Sequence, residues 1–307
     1  MAVLRAFSSF VEGRRVSNEE MAALAGCEPD WIRTVSGIEE RRFFDGSVAD
    51  LAFGAASQCL TRAGVPASEL GLILLASGSV ERRFPGPAAA VAQRLGLDLT
   101  PAIDLPMASA GSLYAMALAS RLAASCGHIL VIGAERMSPI VLQEPRNRNV
   151  AVLFGDGAGA CLVSPEGPGA RVLDSAIHTD GAFSEDLKLE FGQPLAMSGL
   201  TVILQASRKL PRVIGDLLAK NGRAAADVHT FLLHQANRNL LVKVAQALGA
   251  PEAKFYSNIA RYGNTSSASM LIAAAEWAES AAPPPGALAV FAAFGAGFHW
   301  GALLAEF

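Results

Sequence analysis

The chain has 307 residues and a mass of 31.9 kDa, and at 51% hydrophobic and 17% charged residues it fills a large core and is not a disordered protein. Its net charge is −3, from 25 Lys and Arg against 28 Asp and Glu, with no basic run, which argues against nucleic acid as the main partner. No apolar run reaches the roughly 18 residues of a membrane span, and the start does not read as a signal peptide. Cys27, Cys59, Cys126 and Cys161 lie far apart without metal spacing, so they read as reduced, buried thiols in a cytoplasmic protein with no bound metal.

In chain order, Leu72–Ser77 is a continuous apolar run that reads as a strand buried on both faces. Pro87–Leu95 reads as a helix stopped by Gly96, Ala102–Leu105 as a short strand, Ala110–Ala124 as a long helix of small residues and His128–Ile132 as a buried strand. Val150–Phe154 and Gly159–Val163 flank a Gly-rich turn, and Phe183–Pro194 makes a loop. Later, Phe231–Leu233 is a strand, 265–279 a long helix, 288–292 a buried strand, and the prolines of Ala281–Gly286 stop a helix. Strands alternating with helices predict a largely parallel sheet covered by helices.

The second half repeats the first. Val91-Ala92-Gln93-Arg94-Leu95-Gly96 returns as Val244-Ala245-Gln246-Ala247-Leu248-Gly249, half a chain length later. Both copies follow a strand and precede a short strand, a helix of small residues and a buried strand, and Phe154-Gly155 and Phe294-Gly295 open Gly-rich turns in both. The expected organisation is two duplicated βαβαβ halves, residues 1–164 and 165–307, with a site at their junction near the carboxyl ends of the strands.

Three strand-to-helix turns could carry chemistry there. Ser109 precedes the 110–124 helix, where free backbone N–H groups can stabilise an anion, but Ser is also a preferred helix cap. His234 follows the strand Phe231–Leu233 and can serve as a base or a hydrogen-bond donor, or be a core histidine. Asn264, in Gly263-Asn264-Thr265-Ser266-Ser267, can cap a helix or donate to a developing enolate oxygen. Gly155-Asp156-Gly157-Ala158-Gly159-Ala160 fits a dinucleotide-binding pattern formally, but Cys161-Leu162-Val163 continues as strand, so it reads as a tight turn inside an antiparallel pair. A serine-hydrolase elbow is not met, because Met107 stands where the first Gly is needed.

Together these residues resemble the β-ketoacyl-acyl-carrier-protein synthase III family of the thiolase fold. The likeness runs through Asp30-Trp31-Ile32, Gly37-Ile38, Glu40-Arg41, Phe154 to Ala160, His234-Gln235-Ala236-Asn237, Gly263-Asn264-Thr265-Ser266, and Phe294 to Phe298 with Trp300-Gly301. It implies a thiolase-like α/β fold of two halves with central mixed sheets in an α-β-α-β-α arrangement. It also implies a homodimer that takes acyl-CoA as substrate, without a cofactor, and condenses the acyl group with malonyl-CoA or malonyl-acyl carrier protein. By this resemblance Ser109, His234 and Asn264 are catalytic, and His234 serves both as base for Ser109 and as enolate stabiliser with Asn264. The backbone N–H groups of Ser109 and Ala296 form the oxyanion hole. Trp31, Arg148 and Asn237 bind CoA and its pantetheine, and Phe84, Phe154, Leu195, Met197 and Phe294 line the acyl pocket.

Ser109 falls where the family pattern has Cys. A thiol of pKa about 8.5 ionises near a helix end, whereas a hydroxyl stays protonated and needs a base. Basic residues expected near Val35, Leu204 and Gln246-Ala247 are also missing, and the loop Phe183–Pro194 is short. These departures point to a specialised fatty-acid or polyketide pathway and leave two alternatives open. One is acyl transfer to an oxygen, nitrogen or carrier thiol without condensation; the other is an inactive partner subunit. Ser109 is either a natural nucleophile or an engineered replacement.

Overall fold

The computed structural model describes residues 2–281 and 283–307. The first half comprises β1 (Val3–Phe10), β2 (Arg14–Ser17), α1 (Asn18–Ala25), α2 (Pro29–Ser36), β3 (Glu40–Phe43), α3 (Val48–Ala63), β4 (Leu70–Ala76), α4 (Pro87–Arg94), β5 (Ala102–Leu105), α5 (Gly111–Cys126), β6 (His128–Glu135), α6 (Ser138–Val141), α7 (Arg148–Ala151) and β7 (Gly157–Ser164). The second comprises β8 (Ala170–Thr179), β9 (Leu187–Lys188), β10 (Ala196–Met197), α8 (Gly199–Lys220), β11 (Val228–Leu233), α9 (Arg238–Leu248), α10 (Ile259–Tyr262), α11 (Ser269–Ser280), β12 (Leu288–Gly295) and β13 (His299–Glu306).

Side chains alternate across each central strand and so decide the layering. On β4, Leu72 and Leu74 face a middle layer made by α5 and α11, while Ile73 and Leu75 face α3 and α4. On β12, Ala289, Phe291 and Ala293 face the same middle layer, while Val290, Ala292 and Phe294 face α8 and α9. Helices α5 and α11 are therefore buried over most of their Ala-rich length between the two sheets, with charged side chains only toward their C-terminal ends, at Arg121, Glu276 and Glu279. The result is the expected five layers. Each fully buried Leu or Phe side chain stabilises them by about 1.5–3 kcal/mol.

The two expected mixed sheets are continuous. One nine-stranded sheet runs β11-β12-β13-β8-β1-β7-β6-β4-β5. Its halves join where β1 meets β8, with Val3 opposite Arg171 and Leu4 opposite Ala170. Within it β4 pairs in parallel with β5 and β6, and β11 with β12; the other pairings are antiparallel.

Several expectations change. Val150–Phe154 is no strand: Asn147 caps the short helix α7, and Phe154 makes only a single bridge, to Asn264. Gly155–Ala160 is not a turn inside an antiparallel pair: Gly155 and Asp156 lead into β7 and Gly157–Ala160 are its first residues, lying between β1 and β6. Its glycines admit α11, since a Cβ on Gly159 would stand 2.6 Å from Leu271 Cβ. The loop Phe183–Pro194 contains β9, which pairs with β10. The second copy of the short strand shrinks to one bridge, Phe231 with Phe255. Cys59 and Cys161 are buried, but Cys27 and Cys126 only partly, and all four are free. The proline segment 281–286 includes Ala282, and residues 1–164 include Met1, both outside the described residues. Among the described residues, no helix is long and apolar enough to cross a membrane.

Candidate active site

The chain leaves β5 at Leu105 and enters α5 at Gly111, and Ser109 lies in the turn between them with φ +60°. Ala110, not Ser109, occupies the cap position, so the reading of Ser109 as a helix cap fails. A non-glycine residue at this φ costs about 1–3 kcal/mol and persists only where its surroundings hold it. Here the Ser109 N–H donates to Ser266 Oγ at 3.0 Å. Gly295 closes in from the end of β12, where a Cβ would lie 2.9 Å from Ser109 Cβ. Ser266, itself at φ +45°, donates to the buried carboxylate of Glu135 at 2.9 Å. Glu135 also accepts from Ser77, Gly78, Ser79 and Ser267, which ties the ends of β4 and β6 to the start of α11. Burial pushes its pKa up, and these donors act in the opposite sense.

The second half supplies His234 at the end of β11. Burial lowers its pKa to about 4, so the ring is neutral at ordinary pH. Its Nδ1 lies 2.6 Å from Ser269 Oγ, and that oxygen accepts the Gln235 N–H at 3.0 Å. Asn264 is held by strand-like bonds to Leu153 and Gly155, and its Oδ1 accepts the Ser266 N–H at 2.8 Å. That bond leaves its Nδ2 as the free donor.

Ser109, His234 and Asn264 line one cavity with about 90 Å³ of water-accessible space. Phe154, Met197, Phe294 and Asn237 line it too. His234 is the only titratable side chain on its wall among the described residues. The expected hydrogen bond from the Ser109 hydroxyl to His234 is not formed; what holds Ser109 is its N–H bond to Ser266. That N–H was expected to be free for an oxyanion hole and is instead engaged. Ala296, the other expected donor, is not in the left-handed region, so it meets the condition for keeping a usable N–H. A roomier cleft of about 380 Å³ between α9 and α10 contains none of the three residues.

Other expected site residues divide. The Arg148 guanidinium lies 5.7 Å from the Trp31 ring, so the expected pair does stand together. Asn237 caps α9 and donates to Val35 O at 2.7 Å, which adds a structural task to its place on the cavity wall. Phe84 is 85% exposed and outside the cavity. Leu195 instead packs near Ile140 and Val141. The sequence reading missed Val202, Ile203, Ala206 and Leu210, which form one wall. Their helical spacing on α8 was the available signal.

Family models match two stretches: 3-oxoacyl-[acyl-carrier-protein] synthase III over residues 103–181, and the C-terminal part of the same enzyme over 218–307. The chain is 35% identical to a β-ketoacyl-[acyl-carrier-protein] synthase III of Geobacillus kaustophilus, over 96% of this chain and 95% of that one. Its fold is similar to 3-oxoacyl-[acyl-carrier-protein] synthase III of Aquifex aeolicus, with TM-score 0.95 and 30% identity over the whole of both chains. It is also similar to the priming β-ketosynthase of the R1128 polyketide pathway, with TM-score 0.92 and 28% identity over 100% of this chain and 96% of that one.

Proposed function

Because the chain belongs to the 3-oxoacyl-[acyl-carrier-protein] synthase III family of condensing enzymes, we propose that it moves an acyl group from CoA to Ser109 and condenses it with a malonyl thioester. The convergence of Ser109, His234 and Asn264 on one largely apolar cavity carries this reading. In the first step the Ser109 oxygen attacks the thioester carbonyl, the C–S bond breaks, and the thiol leaves with the serine's proton. In the second, the malonyl thioester loses CO₂, and the electron pair of the broken C–C bond forms an enolate. The enolate carbon attacks the Ser109 ester, and the serine oxygen leaves and regains a proton.

Neutral His234 and the Asn264 Nδ2 are two donors placed to hold the enolate oxygen in a largely apolar site. The Ala296 N–H serves the ester oxyanion, joined by the Ser109 N–H when that group releases Ser266. Trp31 and Arg148 hold the adenine of CoA, Asn237 guides the pantetheine, and Phe154, Met197 and Phe294 enclose the acyl chain. The serine in place of the family's cysteine and the missing basic residues support a specialised fatty-acid or polyketide pathway. The open edge at β5, with exposed Ile103 and nearby Phe84, supports action as a homodimer.

The test is product analysis with a panel of acyl-CoA donors and malonyl-CoA or malonyl-acyl carrier protein. The expected product is the 3-oxoacyl thioester, lost by roughly 100-fold or more in His234→Ala and Asn264→Ala. Acyl transfer with no CO₂ release from any malonyl donor would reduce the enzyme to a simple acyltransferase.

A further inference from the structure

We propose that Ser269 sets the tautomer of His234, placing the ring proton on Nε2 and making His234 a donor to the thioester oxygen and not the resting base for Ser109. The Ser269 hydroxyl has one proton to give. Its oxygen already accepts the Gln235 N–H at 3.0 Å, and among the described residues its only partner able to receive that proton is His234 Nδ1, at 2.6 Å. With Nδ1 as acceptor, the neutral ring carries its hydrogen on Nε2. The same segment treats Asn264 alike: the Ser266 N–H occupies Oδ1 and leaves Nδ2 as donor. The turn at Ser266 and the first residue of α11 thus preset both donors before substrate arrives. The missing Ser109–His234 hydrogen bond agrees with a ring that is not poised to take the serine's proton.

The inference deepens the condensing reading and rests on it for the substrate, but not for the tautomer. Ser269 is a positioning residue, acting through His234. Two-bond nitrogen–carbon correlation spectra of histidine-labelled protein read the tautomer with no substrate present. The expected signal, absent in His234→Gln, shows a pyridine-like Nδ1 and a pyrrole-like Nε2. In Ser269→Ala, CO₂ release from malonyl-CoA falls about 10-fold, the worth of one net hydrogen bond, while acylation of Ser109 by acyl-CoA does not fall; Ser269→Thr restores CO₂ release. A pyrrole-like Nδ1 in the wild type overturns the proposal. So does a Ser269→Ala protein, folded by circular dichroism, in which CO₂ release is unchanged or both half-reactions fall together. If Ser269→Ala does not fold, the wild-type spectrum decides alone. An Nε2–H tautomer in a protein that releases no CO₂ would uphold Ser269 and overturn the condensing reading.

Discussion

Ser109 holds a backbone conformation that serine rarely adopts, and Ser266, Glu135 and Gly295 keep it there. The limit on its chemistry is the hydroxyl, which stays protonated where a thiol is a few per cent ionised at neutral pH. Ser109→Cys is therefore expected to take up acyl groups from CoA at least about 10-fold faster, measured by intact mass against time; an equal or slower rate contradicts this. His234 gives a second expectation. Its folded pKa of about 4 lies below the roughly 6.5 of an unfolded histidine. On acidification the unfolded chain binds the proton first, so this contribution to stability is complete above about pH 6.5 and is lost as pH falls toward 4. Calorimetry across that range should show a steeper loss of Tm in the wild type than in His234→Gln, and equal slopes would refute it. The sequence singled out His234 and Asn264 through their motifs, and both line one cavity. Position alone favoured a helix cap at Ser109, because the sign of φ leaves no trace in residue type, and only the family resemblance pointed to a nucleophile there. Ser269 lay unseen in a serine-rich helix start, and Phe84 and Leu195 were misplaced because an apolar residue in a string carries no direction.

Among the elements, the glycines show where packing sets the rules. Gly159 on β7 lets α11 approach, and a methyl there meets Leu271 Cβ at 2.6 Å and the Ile272 nitrogen at 2.9 Å. Gly159→Ala is expected to destabilise by about 1–3 kcal/mol through overpacking. Gly215, inside α8 with open space where its Cβ would be, gives the opposite sign: Gly215→Ala should stabilise by about 0.5–1 kcal/mol. Denaturant unfolding of both proteins checks the pair, and shifts of the same sign would contradict the packing account. The strands β4, β6 and β12 were legible because they are continuous apolar runs buried on both faces. The run Val150–Phe154 was as apolar but forms a helix turn and one bridge, since Asn147 caps it and no neighbouring strand extends alongside. The glycines of 155–160 read as a turn because glycine for close approach and glycine for bending look alike in a sequence.

At the scale of the molecule, the repeat of Val91–Gly96 in Val244–Gly249 foretold two similar halves, and layering around α5 and α11 follows from it. The repeat could not show that the two sheets fuse through the pairs at Val3 and Leu4. The consequence is that β5, β11 and β12 end around one cavity, which brings Ser109 from one half to His234 and Asn264 from the other. Ser109 is the residue expected to carry the acyl group at this junction. The most direct test is the intact mass of the protein after incubation with a panel of acyl-CoA thioesters, followed by peptide mapping and a chase with malonyl-CoA. The expected result is an adduct of one acyl group on the peptide bearing Ser109, absent in Ser109→Ala and discharged by the malonyl chase with release of CO₂. An adduct on any other residue, or no adduct from any donor in the wild type, would contradict it.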